Sequence, residues 1–321
     1  MMVVVTGAGG FIGGHLVGRL LAEGHTVRAV DIKPSGEWFQ EWNSALNVAD
    51  CDLRNPQAAH MVTAGAEQVY NLAADMGGMG YLGSHDADAM VSVLISTNML
   101  RAAAQRHARY FYSSSACIYP EHLQLRPDVV ALREADAYPA MPDLGYGWEK
   151  LFAERMCDAF TRDRGTVTRV ARYHNVYGPH GTWMGGREKA PAAICRKVAE
   201  AVLLGRDEIE VWGDGEQARS FMFIDDCIEG TRRLMDSNVT EPLNVGSAEM
   251  VTINQLIDTV EQIASAKLTR QYNLDAPQGV RGRNSDNTRS RQLLGWEPSI
   301  PLTVGLEATY QWVYDQLTGA M

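Results

Sequence analysis

Apolar and polar positions follow two rhythms along the first half of the chain. The runs MVVVT, TVRAV, QVYNLAA, YFYSSS and TVTRVARY are rich in β-branched, apolar or aromatic residues, the pattern of strands buried on both faces of a parallel sheet. Between them the apolar positions recur at helical spacing. FIGGHLVGRLLAEG puts Phe11, Leu16, Leu20 and Leu21 on one face and stops at Gly24, and VSVLISTNMLRAAAQRH and EKLFAERMCDAFTRD carry longer stripes.

Strand and helix in turn predict an α/β fold, a Rossmann-type doubly wound parallel sheet. Beyond about residue 174 the rhythm breaks into a glycine-rich and proline-rich loop, YGPHGTWMGGREKAP, a helix near 190–204 and a strand at EIEVWG. EPLNVGS at 241–247 reads as a strand returning to the first sheet. The expected division is residues 1–173 with about 218–246 as a cofactor-binding domain, and about 174–217 with 247–321 as a smaller C-terminal α/β substrate-binding domain.

At 321 residues and 45% hydrophobic content, the chain can bury a full core. Its 29 lysines and arginines against 39 acids give a net charge of -10, a field that repels nucleic acid and anionic membranes. Any phosphate must therefore be met by local cations. The opening MMVVVTGAGG has no basic leader and too short an apolar run for a signal peptide or membrane span, so a cytosolic protein is expected. Five widely spaced cysteines (Cys51, Cys117, Cys157, Cys195, Cys227) form no CxxC pair, and the eight histidines show no metal spacing. Reduced thiols and no metal are expected.

VVVTGAGGFIGGHL follows the first strand and opens the first helix. Gly7, Gly10 and Gly13, with Phe11 and Ile12 among them, allow a tight turn and the close approach of a pyrophosphate to a helix N-terminus. Asp31 ends the next strand, where a carboxylate accepts from ribose hydroxyls and repels a 2′-phosphate. NAD is favoured over NADP, with Lys33 nearby. Asp52, Leu53, Leu72, Ala73 and Ala74 end later strands on the same edge. Tyr146 and Lys150, four apart on a predicted helix, share a face; a neighbouring ammonium lowers a phenol that otherwise titrates at about 10, which makes a base.

The GxxGxxG spacing with NLAA, the serine-rich strand end and Tyr146-x-x-x-Lys150 resembles the extended short-chain dehydrogenase/reductase family. Within it, AADMGGMGY, SSACIYPE, YGWEK, NVYGPHGTWMGGREKAPAA, GDGEQARSFMFIDD, NVGSAEMVT and VRGRNSDN resemble the nucleotide-sugar epimerases that invert carbons 3 and 5 of GDP-mannose, from Met2 to about Trp312. The resemblance implies that Ser115, Tyr146 and Lys150 serve transient oxidation at carbon 4. It further implies that Cys117 and Lys189 move protons at carbons 3 and 5, the Lys189 pKa lowered by burial and by Arg187.

The resemblance also implies a substrate set of Gly77, Gly78, Met79, Asn175, Glu188, Ala190, Lys197, Gln217, Arg219, Ser220 and Arg281, with Arg283 among the cations near the phosphates. It implies a homodimer through long helices. His180, Met184 and Ala218 depart from the family pattern, which leaves open inversion at carbon 5 alone or at both centres. A 4-epimerase or 4,6-dehydratase of the same fold stays as an alternative, though the acidic pair of the dehydratases is absent at Ala116 and Cys117. A non-catalytic NAD-binding partner protein is the alternative of another class.

Overall fold

The β-rich runs hydrogen-bond side by side. The structure, a computed structural model, describes residues 1–319. Six strands come first: β1 (Met2–Thr6), β2 (Thr26–Val30), β3 (Leu46–Val48), β4 (Gln68–Asn71), β5 (Arg109–Ser115) and β6 (Thr168–Tyr173). Then follow β7 (Val176–Tyr177), β8 (Glu208–Trp212), β9 (Ala218–Ser220), β10 (Met222–Phe223), β11 (Leu243–Val245), β12 (Met250–Thr252), β13 (Thr269–Asn273) and β14 (Gly282–Arg283). The main sheet runs β11-β6-β5-β4-β1-β2-β3, all parallel. EPLNVGS thus does return to it, as β11.

Because side chains alternate along a strand, Val3 and Val5 enter one core and Val4 the other. Helix α1 (Phe11–Ala22) links β1 to β2, and α2 (Pro56–Val62) links β3 to β4. Between β4 and β5 run α3 (Met79–Leu82), α4 (Asp86–Val91) and α5 (Val93–Gln105). The single helix expected from VSVLISTNMLRAAAQRH therefore begins earlier and divides at Ser92, whose hydroxyl accepts the Asp75 amide at 2.9 Å. The long α6 (Gly145–Arg164) links β5 to β6 and stops at Gly165, which is left-handed at φ 66°.

Later come α7 (Ala190–Leu204), α8 (Ile224–Asp236), α9 (Ile253–Ile263), α10 (Thr288–Leu294) and α11 (Leu302–Gly319). Three small sheets accompany them: β9 between β12 and β14, β8 with β13, and β7 with β10. Strand β9 pairs with β12 and β14 rather than with the main sheet, so the chain re-enters the first layer only at α8 and β11. Among the described residues no helix is long and apolar enough to cross a membrane.

One buried ion pair ties the sheet to α6. Arg172 of β6 reaches Glu154 of α6 through Nε (3.0 Å) and Nη2 (2.7 Å), and Ser114 of β5 donates to the same carboxylate at 2.5 Å. Removing one partner leaves the other charge buried alone. Glu154→Ala is expected to cost about 3–5 kcal/mol of unfolding free energy in a denaturant titration; a loss below 1 kcal/mol would show that the pair does not hold α6 in place.

Candidate active site

The turn from β1 to α1 is closed to side chains. Gly7 has φ 70°, and a Cβ on it would stand 3.0 Å from the Ala73 nitrogen; at Gly13 the clash is with the Gly7 carbonyl oxygen at 2.0 Å. No side chain caps α1, so its N-terminus presents bare backbone, where a pyrophosphate can sit. Asp31 is buried at the end of β2, accepting from the Gly9 amide (2.9 Å) and the Lys33 amide (3.0 Å). The Lys33 ammonium lies over the Phe39 ring.

Thr6 donates to Asn71 (2.8 Å) and accepts the amides of Leu72 and Ala73 (3.2 Å each), which fixes the Leu72–Ala74 edge. Phe11 meets the His15 ring edge-on and Ile12 packs on the core. Leu53 is buried, whereas the Asp52 carboxylate is taken by Arg54 at 2.7 Å. The cradle that a Cβ would fill and the acid beside it fit a dinucleotide.

Strand β5 ends at Ser115, whose Oγ accepts the Cys117 amide at 3.1 Å and caps the short turn Ala116–Ile118. Helix α6 lies against this turn. A Cβ on Gly147 would come 2.3 Å from the Cys117 carbonyl oxygen. Asp86 of α4 reaches across to cap α6, accepting the amides of Gly145 (3.0 Å) and Tyr146 (3.1 Å). No motif in the sequence signals that cap.

Tyr146 is buried, and burial pushes its phenol up, with Cys117 and Glu149 adding to the rise and the Ser115 hydroxyl opposing it. The expected lowering by Lys150 is not what sets the phenol here: burial decides its direction. The Lys150 amine sits 5.5 Å from the Tyr146 ring centre, and burial lowers its pKa against Glu149, Cys117 and Glu154.

Cys117 packs beside Tyr146, Tyr81 and Leu82. Its Sγ receives a hydrogen bond from Arg283 Nη1 at 3.3 Å. Burial pushes the thiol up, but Arg283, Ser115 and Lys189 outweigh it and leave the thiol below its ordinary value. Lys189 stands at the start of α7, its amine lowered by burial; Cys117 and Cys227 oppose this and Arg283 reinforces it. Each of the two groups thus lies within electrostatic reach of the other.

Arg187, expected to act on Lys189, instead donates to Asp75 (2.6 Å) and to the Tyr81 hydroxyl (2.7 Å). Its carbonyl accepts the Gly78 amide at 3.0 Å, and a Cβ on Gly78 would meet the Glu188 carbonyl at 2.5 Å. The Gly77–Met79 segment therefore abuts the loop ending in Lys189 and Ala190. Gly185 and Gly186, at φ 90° and 86°, shape that loop, and Glu188 accepts the Gly186 amide and pairs with Arg196 at 3.2 Å.

The cations divide into two sets. Arg281 makes two 3.0 Å bonds to Asp214, and Lys197 is held by Glu210. Arg219 donates only to the carbonyls of Ala218, Gln278 and Val280, and burial with Arg283 nearby pushes its guanidinium down to about 9. Arg283 is opposite Arg219 in the β14–β9 register and is bound by Gln124 and Cys117. Neither pairs with a carboxylate among the described residues. Beside them Gln217 Oε1 and Ser220 Oγ are buried without partners, and Asn175, at φ 39°, donates to the Ser220 carbonyl at 3.0 Å.

The model of the NAD dependent epimerase/dehydratase family matches residues 3–246. A GDP-mannose 3,5-epimerase 1 of Oryza sativa subsp. japonica is 47% identical over 319 residues, covering 99% of this chain and 82% of the relative. A UDP-glucose 4-epimerase of Thermotoga maritima superposes with a TM-score of 0.88 at 26% identity, covering 99% of this chain and all of that one. A Bacillus cereus UDP-glucuronic acid 4-epimerase, solved with UDP-glucuronic acid and NAD, gives 0.83 at 25%, with the same coverage. The glycine cradle, the Ser115, Tyr146 and Lys150 set on its sheet edge, and these matches lead to one conclusion: the chain belongs to the NAD dependent epimerase/dehydratase family.

Proposed function

We propose that this chain is an NAD-dependent epimerase of GDP-mannose that inverts carbons 3 and/or 5, giving GDP-L-galactose and/or GDP-L-gulose. The observation that carries the reading is the meeting of Cys117, Arg283 and Lys189 beside Ser115, Tyr146 and Lys150. The first unit of the fold holds the cofactor, and the segments after β6, α8 and β11 apart, form the nucleotide-sugar side. Gly7, Gly10, Phe11, Ile12, Gly13, Asp31, Leu53, Leu72, Ala73 and Ala74 line the cofactor crevice, with Asp52 at its rim.

When bound, NAD supplies the hydride acceptor at carbon 4 and a positive ring that favours phenolate at Tyr146. Ser115 orients the carbon 4 hydroxyl and Tyr146 takes its proton, with Lys150 behind it. A ketone at carbon 4 makes the hydrogens on carbons 3 and 5 acidic. Inversion then needs a group on each ring face, and the Cys117 thiol and Lys189 amine, both held below their ordinary values, take those two places.

Arg219 and Arg283, cations without carboxylates, suit the diphosphate, with Gln217, Ser220 and Asn175 beside them. Arg281 and Lys197 join by exchanging Asp214 and Glu210 for phosphate. Gly77, Gly78, Met79, Glu188 and Ala190 border the sugar. A 4-epimerase would use Ser115, Tyr146 and Lys150 for its chemistry and leave Cys117 and Lys189 without a task.

The active unit is a homodimer. Met90, Val91, Leu94, Trp148 and Phe152 expose an apolar face on α4, α5 and α6, which suits a second copy. Its five free cysteines suit the reducing cytoplasm.

Incubated with GDP-mannose in deuterated water, the enzyme is expected to place deuterium at carbon 3 or 5, and Cys117→Ala to slow exchange at one or both by about 10²–10⁴-fold; unlabelled sugar despite turnover at carbon 4 would sink the reading. Arg283→Met removes the cation that holds the thiol low. The Cys117 pKa then rises and its base form is reached only at higher pH, so the acidic limb of the kcat profile should move upward, and an unmoved limb counts against this role. Leu94→Glu with Phe152→Glu should shift the species in sedimentation velocity from dimer to monomer; a dimer that persists rejects this face.

A further inference from the structure

Two consecutive residues of α6, Glu149 and Lys150, are 3% and 2% exposed. Neighbours i and i+1 on a helix do not face each other, yet Glu149 Oε2 lies 3.8 Å from Lys150 Nζ. The carboxylate is gripped from two other elements. Its Oε1 accepts from Ser96 of α5 at 3.1 Å and from the Tyr112 hydroxyl of β5 at 3.3 Å, while Oε2 has no hydrogen-bond partner. The amine likewise has no hydrogen bond among the described residues; it lies 4.9 Å from the Tyr112 ring centre and 5.5 Å from that of Tyr146.

A buried ammonium without a counter-charge gives up its proton readily. The other groups facing this one are already engaged. Glu154 is bidentate with Arg172, Asp86 spends both oxygens on the Gly145 and Tyr146 amides, and Cys117 is held by Arg283. The phenols of Tyr112 and Tyr146 are kept neutral by burial. Glu149 is left as the carboxylate that answers Lys150, and it is the first of the groups that oppose the effect of burial on the amine.

We propose that Glu149 is a positioning residue that keeps the Lys150 amine charged and fixed between Tyr112 and Tyr146, so that the phenol retains its cation. The proposal rests on the reading of Tyr146 and Lys150 as the carbon 4 acid/base pair. Without the carboxylate, Lys150 discharges at lower pH and Tyr146 loses the charge that favours phenolate.

Two readouts test it on the full chain. In protein labelled with ¹³C at lysine Cε, the Lys150 signal, assigned by its absence in Lys150→Arg, should titrate at least about one pH unit lower in Glu149→Gln than in the parent, with Glu149→Asp between them. The alkaline limb of kcat should fall with it, giving about a tenfold loss on that limb and little change on the acidic side. A Lys150 midpoint unmoved in Glu149→Gln overturns the proposal, as does a loss of kcat uniform across pH, the mark of a scaffold residue.

A midpoint that moves while the alkaline limb stays put upholds the hold of Glu149 on Lys150 and removes the pair from the carbon 4 step. Should Glu149→Gln fail to fold, Ser96→Ala, which removes one grip on the carboxylate, should move both readouts the same way by less; no movement in a folded Ser96→Ala then counts against the proposal.

Discussion

With a carbonyl oxygen 2.3 Å from where its Cβ would stand, Gly147 lets the backbone of α6 rest directly on the turn after β5. The groups proposed to react depend on that approach. It brings Tyr146 beside Ser115 and Cys117, and two further ties keep the helix from sliding. Asp86 fixes its first turn through backbone amides, and Glu154 fixes its third through Arg172. A sheet edge, a helix start and a capping helix thus share one small volume, although their residues are up to 60 positions apart.

An acidic chain has to solve two electrostatic problems at this edge. It must keep cations for an anionic ligand, and it must bury charges without neutralising them all. The first is met by sorting: Arg281 and Lys197 are parked on carboxylates, while Arg219 and Arg283 are left facing each other with neutral partners only. Like charges in register cost energy, which an incoming anion would relieve. The second is met by pairing across elements, as with Glu154 of α6 and Arg172 of β6.

The parallel sheet was readable because β1, β4, β5 and β6 are largely buried runs enriched in β-branched, apolar or aromatic residues and separated by helical stripes, and the glycine turn because each glycine occupies a position with no room for Cβ. Of the small sheets only β8 was readable, from EIEVW, since strands of two or three residues such as β7 and β14 have no periodicity to detect. Among the site residues, local motifs marked Tyr146 and Lys150. The contact of Arg283 with Cys117 spans 166 positions, and Arg187 turned to Asp75 rather than Lys189; both follow from how loops pack, which spacing along the chain does not encode. Glu149 had no signature at all, because an acid in a helix normally faces water.

The grip of Arg283 on the Cys117 sulfur has a chemical cost. A thiol held below its ordinary pKa spends more of its time as thiolate, and thiolate is the form that peroxides convert to sulfenic acid. The setting that suits the cysteine to the proposed proton transfer therefore also makes it the one of the five thiols held toward thiolate, the form open to oxidation. Cys157, Cys195 and Cys227, buried with raised pKa values, are protected by the same logic in reverse. Loss of activity on storage without a reducing agent would then begin at the strand end rather than in the core.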